Sequence, residues 1–243
     1  EKIKLIFRGG GTRLNAPGKT FKPKKIILEI LAAKCAFTLA EVLVTLGIIG
    51  VVSAMTVPSL MQNYQRQSYV TQLHKVYNEF SQALLQYQTD KNALNLRESG
   101  LTDINAIDYF IKNYFKIIQS CGKEHTKCFA DSYKKLDGST IVPFDSVFNS
   151  YVFANGASVA VKKSDVIQVH VDVNGKKGPN IIGRDTFAFR VYNNGAIDDN
   201  CEEAPCSEDL RNSSFEQHCI VQNGNLWWGC FGKILNDNWQ MTY

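Results

Sequence analysis

Residues 37–57 read FTLAEVLVTLGIIGVVSAMTV, and Glu41 is the single charged side chain in these twenty-one positions. As a helix this segment would extend about 31 Å, which matches the ~30 Å hydrocarbon core of a bilayer. The alternative is the buried core helix of a soluble protein. The sixteen uncharged and mostly apolar residues that follow Glu41 argue against it. We therefore predict one membrane-spanning helix near the N-terminus.

The charge of the chain changes sign across this segment. Residues 1–36 hold nine Lys and Arg and two Glu, net +7, whereas the rest of the chain is net −3. An excess of Lys and Arg marks the cytoplasmic side of a membrane segment, so we expect the N-terminus in the cytoplasm. No later basic patch is interleaved with aromatic residues, so nucleic acid is not a predicted partner.

The junction between the basic leader and the apolar segment, residues 34–44, reads KCAFTLAEVLV. It resembles the prepilin cleavage and methylation motif of type IV pilins and type II secretion pseudopilins. The resemblance implies that prepilin peptidase cuts between Ala36 and Phe37 and that the new N-terminus is methylated. The family usually has Gly before the cut, and this chain has Ala.

The same resemblance implies roles for two further residues. Glu41 becomes the fifth residue after the cut, where the family's Glu pairs with the free N-terminal amine of a neighbouring subunit. The alternative is that Glu41 lies at headgroup level, favoured there by the helix dipole. Pro58 matches the helix-kinking proline of the family, since Pro removes a backbone donor and crowds the preceding turn.

A helical pattern continues beyond Pro58. Its apolar stripe recurs at three- and four-residue spacing and consists of Tyr69, Val70, Leu73, Val76, Tyr77, Phe80, Leu84 and Tyr87. One long helix with an amphipathic second half is predicted. A coiled coil is the weaker alternative, because the positions flanking the stripe lack the charged residues that set pairing in coiled coils. Residues 101–118 predict a second amphipathic helix, with Thr102 or Asp103 as its cap.

The region after Ser120 changes to period-two alternation. Asn155-Gly156 between residues 151–153 and 159–161 is a hairpin signal, and residues 167–173 and 187–191 alternate as further strands. We therefore predict an α+β fold of the pilin kind, in which the long N-terminal helix packs against a small antiparallel sheet. The predicted organisation is a leader (1–36), a transmembrane and filament-core helix (37–58), its amphipathic continuation (59–95) and a globular head with a disulfide-stapled C-terminal region (96–243).

Of the seven cysteines, one lies in the leader and six follow the membrane segment. This placement favours disulfides in an oxidising compartment. The alternative is zinc, with His125 as a further ligand, but zinc sites use tight C-x-x-C pairs, and the spacings here are six, four and ten residues. Many connectivities are open to six cysteines. We predict pairing between sequence neighbours: Cys121–Cys128, Cys201–Cys206 and Cys219–Cys230.

Residues 171–180, followed by residues 183–187, are similar to a D-x-N-G-x-x-G-P-N…G-R-D-x-F strand–loop–strand of pseudopilin-like globular domains. Some secretion pseudopilins bind calcium in a sheet loop, and Asp172, Asn174 and Asp185 offer the hard oxygen ligands that calcium prefers. The favoured alternative is a plain turn at Asn174-Gly175. No other cofactor is predicted.

Residues 196–236 combine seven acidic side chains, four cysteines and Trp227-Trp228. They predict either a disulfide-stapled loop whose tryptophans complete the core, which we favour, or a recognition face with exposed aromatic residues. The four histidines are scattered and the chain holds no H-E-x-x-H or G-x-S-x-G motif, so an enzyme is not expected.

These patterns favour a structural filament subunit. We expect a precursor in the bacterial inner membrane that becomes part of a periplasmic or extracellular filament. Its expected partners are the membrane, prepilin peptidase and other copies or related pilins. The alternative is a single-pass membrane-tethered surface binding protein or adhesin whose signal anchor is not cleaved.

Overall fold

The structure, a computed structural model, describes residues 38–141, 147–221 and 227–243. The predicted leader and the predicted cleavage site, Ala36 and Phe37, lie outside the described residues. The chain divides into two compact units, Glu1–Ala54 and Met55–Tyr243.

The longest element is helix α1, Leu39–Asp90, which has 52 residues and contains Pro58 within it. Its length corresponds to about 78 Å at ~1.5 Å per residue. The apolar stripe of its second half is buried as predicted, with Tyr69 and Tyr77 partly buried beside it; the buried residues are Val70, Leu73, Val76, Phe80, Ala83, Leu84 and Tyr87. Helix α1 ends five residues before the predicted boundary at residue 95.

Helix α2 spans Ile104–Tyr114 and begins as predicted at Asp103, whose carboxylate accepts hydrogen bonds from the backbone of Asn105 and Ala106. The prediction that it continues to residue 118 is wrong. The chain becomes extended at Phe115, and strand β1 begins at Ile117. Pairing of β1 with the strand at Asn149–Phe153 competes with the last helical turn, because it satisfies the same backbone groups in the sheet.

The main sheet has six strands in the order β1-β4-β5-β6-β7-β8, and every neighbouring pair is antiparallel. Its strands are β1 (Ile117–Gly122), β4 (Asn149–Phe153), β5 (Ser158–Lys163), β6 (Ile167–Asp172), β7 (Thr186–Val191) and β8 (Ile197–Asp198). Strands β2 (Tyr133–Lys134) and β3 (Thr140–Ile141) form a separate pair. The predicted hairpin at Asn155-Gly156 is confirmed: it joins β4 to β5, and Gly156 adopts φ +91°.

Phe80 lies at the centre of the core of the globular unit. Its ring centroid is 4.7 Å from that of Phe115, 6.1 Å from Phe153 on β4 and 5.5 Å from Phe189 on β7. The second half of α1 therefore packs on one face of the sheet. The fold is α+β, with a long helix that is apolar in its first half and an antiparallel sheet.

The described residues after β8 include three short helical segments. They are helix α3 (Glu208–Ser214), a π-helical turn (Phe215–Ile220) and helix α4 (Cys230–Asn236). Ser207 caps α3 by accepting a hydrogen bond from the backbone of Leu210. Helix α4 buries Phe231 and Ile234 in the same core that Phe80 occupies.

Phe80→Ala should lower the free energy of unfolding by about 3–5 kcal/mol, because it removes the ring on which three elements pack. Leu85→Ala is the matched control on the same helix, since Leu85 is 67% exposed, and it should cost under about 0.5 kcal/mol. Chemical denaturation of the full chain in detergent, followed by near-UV circular dichroism, measures both. Equal losses would contradict the assignment of Phe80 to the centre of the core.

Candidate functional site

The first turn of α1 holds the carboxylate that the sequence singles out. The Glu41 Oε2 atom accepts hydrogen bonds from the backbone nitrogen of Thr38 at 2.8 Å and from its hydroxyl at 2.9 Å. The backbone nitrogen of Glu41 in turn donates to the Thr38 hydroxyl at 3.2 Å. This reciprocal arrangement is a capping box. Glu41 therefore has a local structural role in the isolated chain, besides any role between subunits.

The first half of α1 exposes its apolar side chains. Those that are at least 40% exposed are Leu39, Val42, Leu43, Val44, Leu46, Ile48, Ile49, Val51, Val52, Met55, Val57, Leu60 and Met61. A helix that is apolar on all sides needs an apolar environment. Among the described residues α1 is the one helix that is long and apolar enough to cross a membrane.

The six cysteines that follow α1 form three disulfides, which join Cys121 to Cys128, Cys201 to Cys206 and Cys219 to Cys230. These are the pairs predicted from sequence proximity. The third disulfide links the π-helical turn to α4 and lies against Gly183. A Cβ atom on Gly183, where φ is +83°, would lie 2.7 Å from Sγ of Cys230, so this position requires glycine.

Trp227 and Trp228 lie in the core, where they are 4% and 7% exposed. The His170 ring lies between them and Phe148, with ring centroids 5.1, 5.9 and 4.8 Å away. Burial lowers the pKa of His170 to about 3, so its imidazole is neutral at physiological pH. The alternative of a recognition face with exposed tryptophans is wrong, because both indoles fill the space beside the sheet.

A pair of adjacent buried carboxylates, Asp198 and Asp199, organises the C-terminal region. Asp198 forms a two-point ion pair with Arg211, with Nε–Oδ1 at 2.8 Å and Nη2–Oδ2 at 2.6 Å, and also accepts from the backbone of Cys206 at 2.9 Å. These contacts join β8, the Cys201–Cys206 loop and α3. Sequence reasoning placed both aspartates in an acidic loop and missed this arrangement.

Asp199 caps the start of α4 from 30 residues away in sequence. Its carboxylate accepts from the backbone nitrogens of Gly229 at 3.0 Å and Gly232 at 2.6 Å. A Cβ atom on Gly229, where φ is +88°, would lie 2.3 Å from the carbonyl oxygen of Ser214, so only glycine allows this approach. Burial raises the pKa of Asp199, and the backbone donors oppose that rise.

The three residues predicted as calcium ligands lie at the β6–β7 connection, where two carboxylates already have protein partners. Asp172 accepts from the Tyr133 hydroxyl at 2.7 Å, and Asp185 accepts from the backbone of Asn180 at 2.8 Å and of Ile181 at 2.7 Å. Asn174 donates from its amide to the carbonyl of Gly178 at 3.2 Å. These bonds describe a fully formed turn, and calcium binding there stays a prediction.

Burial raises the pKa of Asp172 to about 8, and burial also raises the pKa of Asp185. Asp172 is therefore largely protonated at neutral pH, which weakens it as a cation ligand. Within the described residues, no group of three or more His, Cys, Asp or Glu side chains could hold a metal ion.

Comparison of the chain with family models, curated proteins and solved structures found no match.

Asp199→Ala should lower the free energy of unfolding by about 3 kcal/mol, because it leaves buried backbone donors of α4 without an acceptor. Glu202→Ala is the control, since Glu202 is an exposed acidic residue of the same region, and it should change stability by under about 0.5 kcal/mol. Thermal and chemical unfolding of the full chain in detergent measure the difference. If Asp199→Ala is as stable as the control, the carboxylate does not hold α4.

The raised pKa of Asp172 predicts how stability depends on pH. An acid whose pKa is higher in the folded than in the unfolded state stabilises fully below its unfolded pKa of ~3.9. That contribution is lost as the pH rises towards about 8, the folded value. The free energy of unfolding of the wild type should therefore fall across this range, and Asp172→Asn should flatten the fall.

Unfolding of the two proteins between pH 4 and pH 9, with EDTA and then with calcium, measures this dependence. Parallel curves of unfolding free energy against pH in EDTA would show that the folded state does not raise the pKa of Asp172. If calcium restores the stability of the wild type at pH 8.5 and leaves that of Asp172→Asn unchanged, the loop holds a calcium site.

Proposed function

We propose that the chain is a structural subunit of a type IV pilus or a type II secretion pseudopilus. The observation that carries the proposal is the first half of α1, which has a carboxylate in its first turn followed by exposed apolar side chains. Neighbouring subunits in a filament and lipid before assembly both supply the apolar surroundings that such a helix requires. The resemblance to the prepilin motif supplies the processing step, which is cleavage by prepilin peptidase between Ala36 and Phe37.

The precursor is anchored in the bacterial inner membrane, and the mature subunit belongs to a periplasmic or extracellular filament. The disulfides of the globular unit support this location, because such bonds persist in oxidising compartments. Its partners are prepilin peptidase, the membrane and other copies or related pilins. The role is assembly rather than catalysis.

In this proposal the Glu41 carboxylate pairs with the amine that cleavage creates at Phe37 of a neighbouring subunit. The capping box offers the competing explanation, in which Glu41 serves only its own helix. The two roles are chemically separable. Gln also serves at the third helical position of a capping box, whereas it carries no charge to pair with an amine.

Glu41→Gln should therefore keep the cap and lose assembly, with filament yield reduced by at least about tenfold, because an amine in an apolar bundle would lack its counter-charge. Thr38→Val is the matched variant. It removes the hydroxyl of the capping box, keeps the carboxylate and should assemble nearly as the wild type does. Electron microscopy and the amount of subunit in sheared filaments measure assembly.

Intact-mass analysis is the control, since each variant must begin at Phe37 for its assembly to be compared. A wild type that keeps its leader in cells with active prepilin peptidase would overturn the precursor assignment. Normal assembly of Glu41→Gln would show that Glu41 only caps the helix. A wild type that forms no filament would favour the membrane-tethered binding protein.

A further inference from the structure

A cleft of about 390 Å³ lies between α1 and the residues after α4. Both of its walls belong to the unit Met55–Tyr243. We call it the amide cleft, because Arg66 and four side-chain amides line it: Asn63, Gln67, Asn238 and Gln240. Its volume falls at the lower end of the ~300–1,000 Å³ of small-ligand sites.

The polar side chains of the amide cleft are uncommitted. Within the described residues, the four side-chain amides make no hydrogen bond to the protein. The Arg66 guanidinium likewise makes no hydrogen bond or ion pair with described residues. A larger cleft of about 530 Å³ differs in this respect. There Lys163 donates to the carbonyls of Ser164 and Asp165, and the Asn193 side chain accepts from the backbone of Arg97. The amide cleft therefore offers free donors and acceptors to a ligand.

One aromatic side chain, that of Trp239, lies beside these amides. The indole of Trp239 stacks on the His74 ring, with centroids 3.9 Å apart and planes inclined by 17°, and meets Tyr77 edge-on at 5.0 Å. It lines the cleft together with Val70 and Met241. The cleft thus combines an apolar surface with a polar rim.

The backbone of Trp239 is strained. Asn238 and Trp239 adopt φ of +51° and +60°. One residue in this conformation suffices to end a helix, and Asn is suited to it. Asn238 meets that need for α4, and the backbone nitrogen of Trp239 completes the helix end by donating to the carbonyl of Ile234 at 2.9 Å. A bulky residue there costs free energy, and such strain concentrates at functional positions. The indole that follows from this backbone lies against the His74 ring.

One cationic side chain, that of Arg66, lines the amide cleft. No carboxylate lines it among the described residues. Arg184 lies nearby, and burial, followed by the charge of Arg66, lowers the pKa of its guanidinium. An anionic ligand would relieve this repulsion between two cations.

From these features we propose that the amide cleft binds an acidic oligosaccharide. A pyranose ring has an apolar face of C–H groups that can pack on the apolar lining of the cleft, which Val70, Trp239 and Met241 supply. Its hydroxyls both donate and accept, as side-chain amides do. A carboxylate on the sugar pairs with Arg66. The proposal goes beyond filament assembly and does not depend on it.

The test uses the full chain in a detergent without a sugar headgroup, titrated calorimetrically with oligogalacturonate and with its methyl-esterified, neutral form. The acidic form should bind saturably and about tenfold more tightly than the ester, because an ion pair is lost. Arg66→Gln should remove that difference. Asn63→Ala combined with Gln67→Ala should weaken both forms by about tenfold, since each amide loses its hydrogen bonds.

Gln86→Ala is the matched control, because Gln86 is an exposed amide of α1 outside the cleft, and it should leave binding unchanged. Trp239→Phe should weaken both ligands with unchanged circular dichroism. Glu41→Gln should bind as the wild type does, which separates this inference from assembly. The proposal is wrong if the wild type binds neither ligand saturably or if Gln86→Ala is as damaging as the cleft variants. It is also wrong if the cleft variants block filament formation while no sugar binds, since the cleft would then be a subunit contact.

Discussion

The contact between the Phe80 ring and the sheet determines how the globular unit is built. Phe80 meets rings from the end of α2 and from strands β4 and β7, so one side chain of α1 joins elements far apart in the sequence. Helices gain most of their stability in proteins from such packing rather than from intrinsic propensity. The stripe from Val70 to Tyr87 therefore fixes which face of the sheet is covered, and the strands β4 to β7 follow as antiparallel neighbours.

The first half of the same helix does not pack on the sheet. There the large apolar side chains are exposed, and Glu41 is engaged in a capping box with Thr38. Pairing of Glu41 with an amine of another subunit would therefore exchange local hydrogen bonds for an ion pair. The free energy gained on pairing is the difference between the ion pair and the lost hydrogen bonds. It grows as water is excluded from the bundle, because charges attract more strongly in a low dielectric. An apolar bundle around the helix start is thus a condition for pairing.

The hydrophobic pattern was sufficient to predict the elements whose stability is local. Helix α1, the start of α2 at Asp103 and the Asn155-Gly156 hairpin are confirmed, since each depends on neighbouring residues. The predicted end of α2 was wrong because the apolar pattern continues to Ile117. In the structure Ile117 belongs to strand β1, where it pairs with Phe153 on β4. Such competition between a helix and a distant strand cannot be read from periodicity alone.

The candidate sites were less predictable for a similar reason. Asp198 and Asp199 appear as members of an acidic segment, and their burial depends on Arg211 and on glycines 30 or more residues away. That long-range cap also bears on the amide cleft. Helix α4 is held at its start by Asp199 and by the Cys219–Cys230 disulfide, and the strained Trp239 follows directly from its end. The rings of His74 and Tyr77 pack against the indole, so it is in place before any ligand arrives. Ligand binding then does not have to order this wall of the cleft. The entropy cost of binding is smaller as a result, and this allows a small polar site to reach useful affinity.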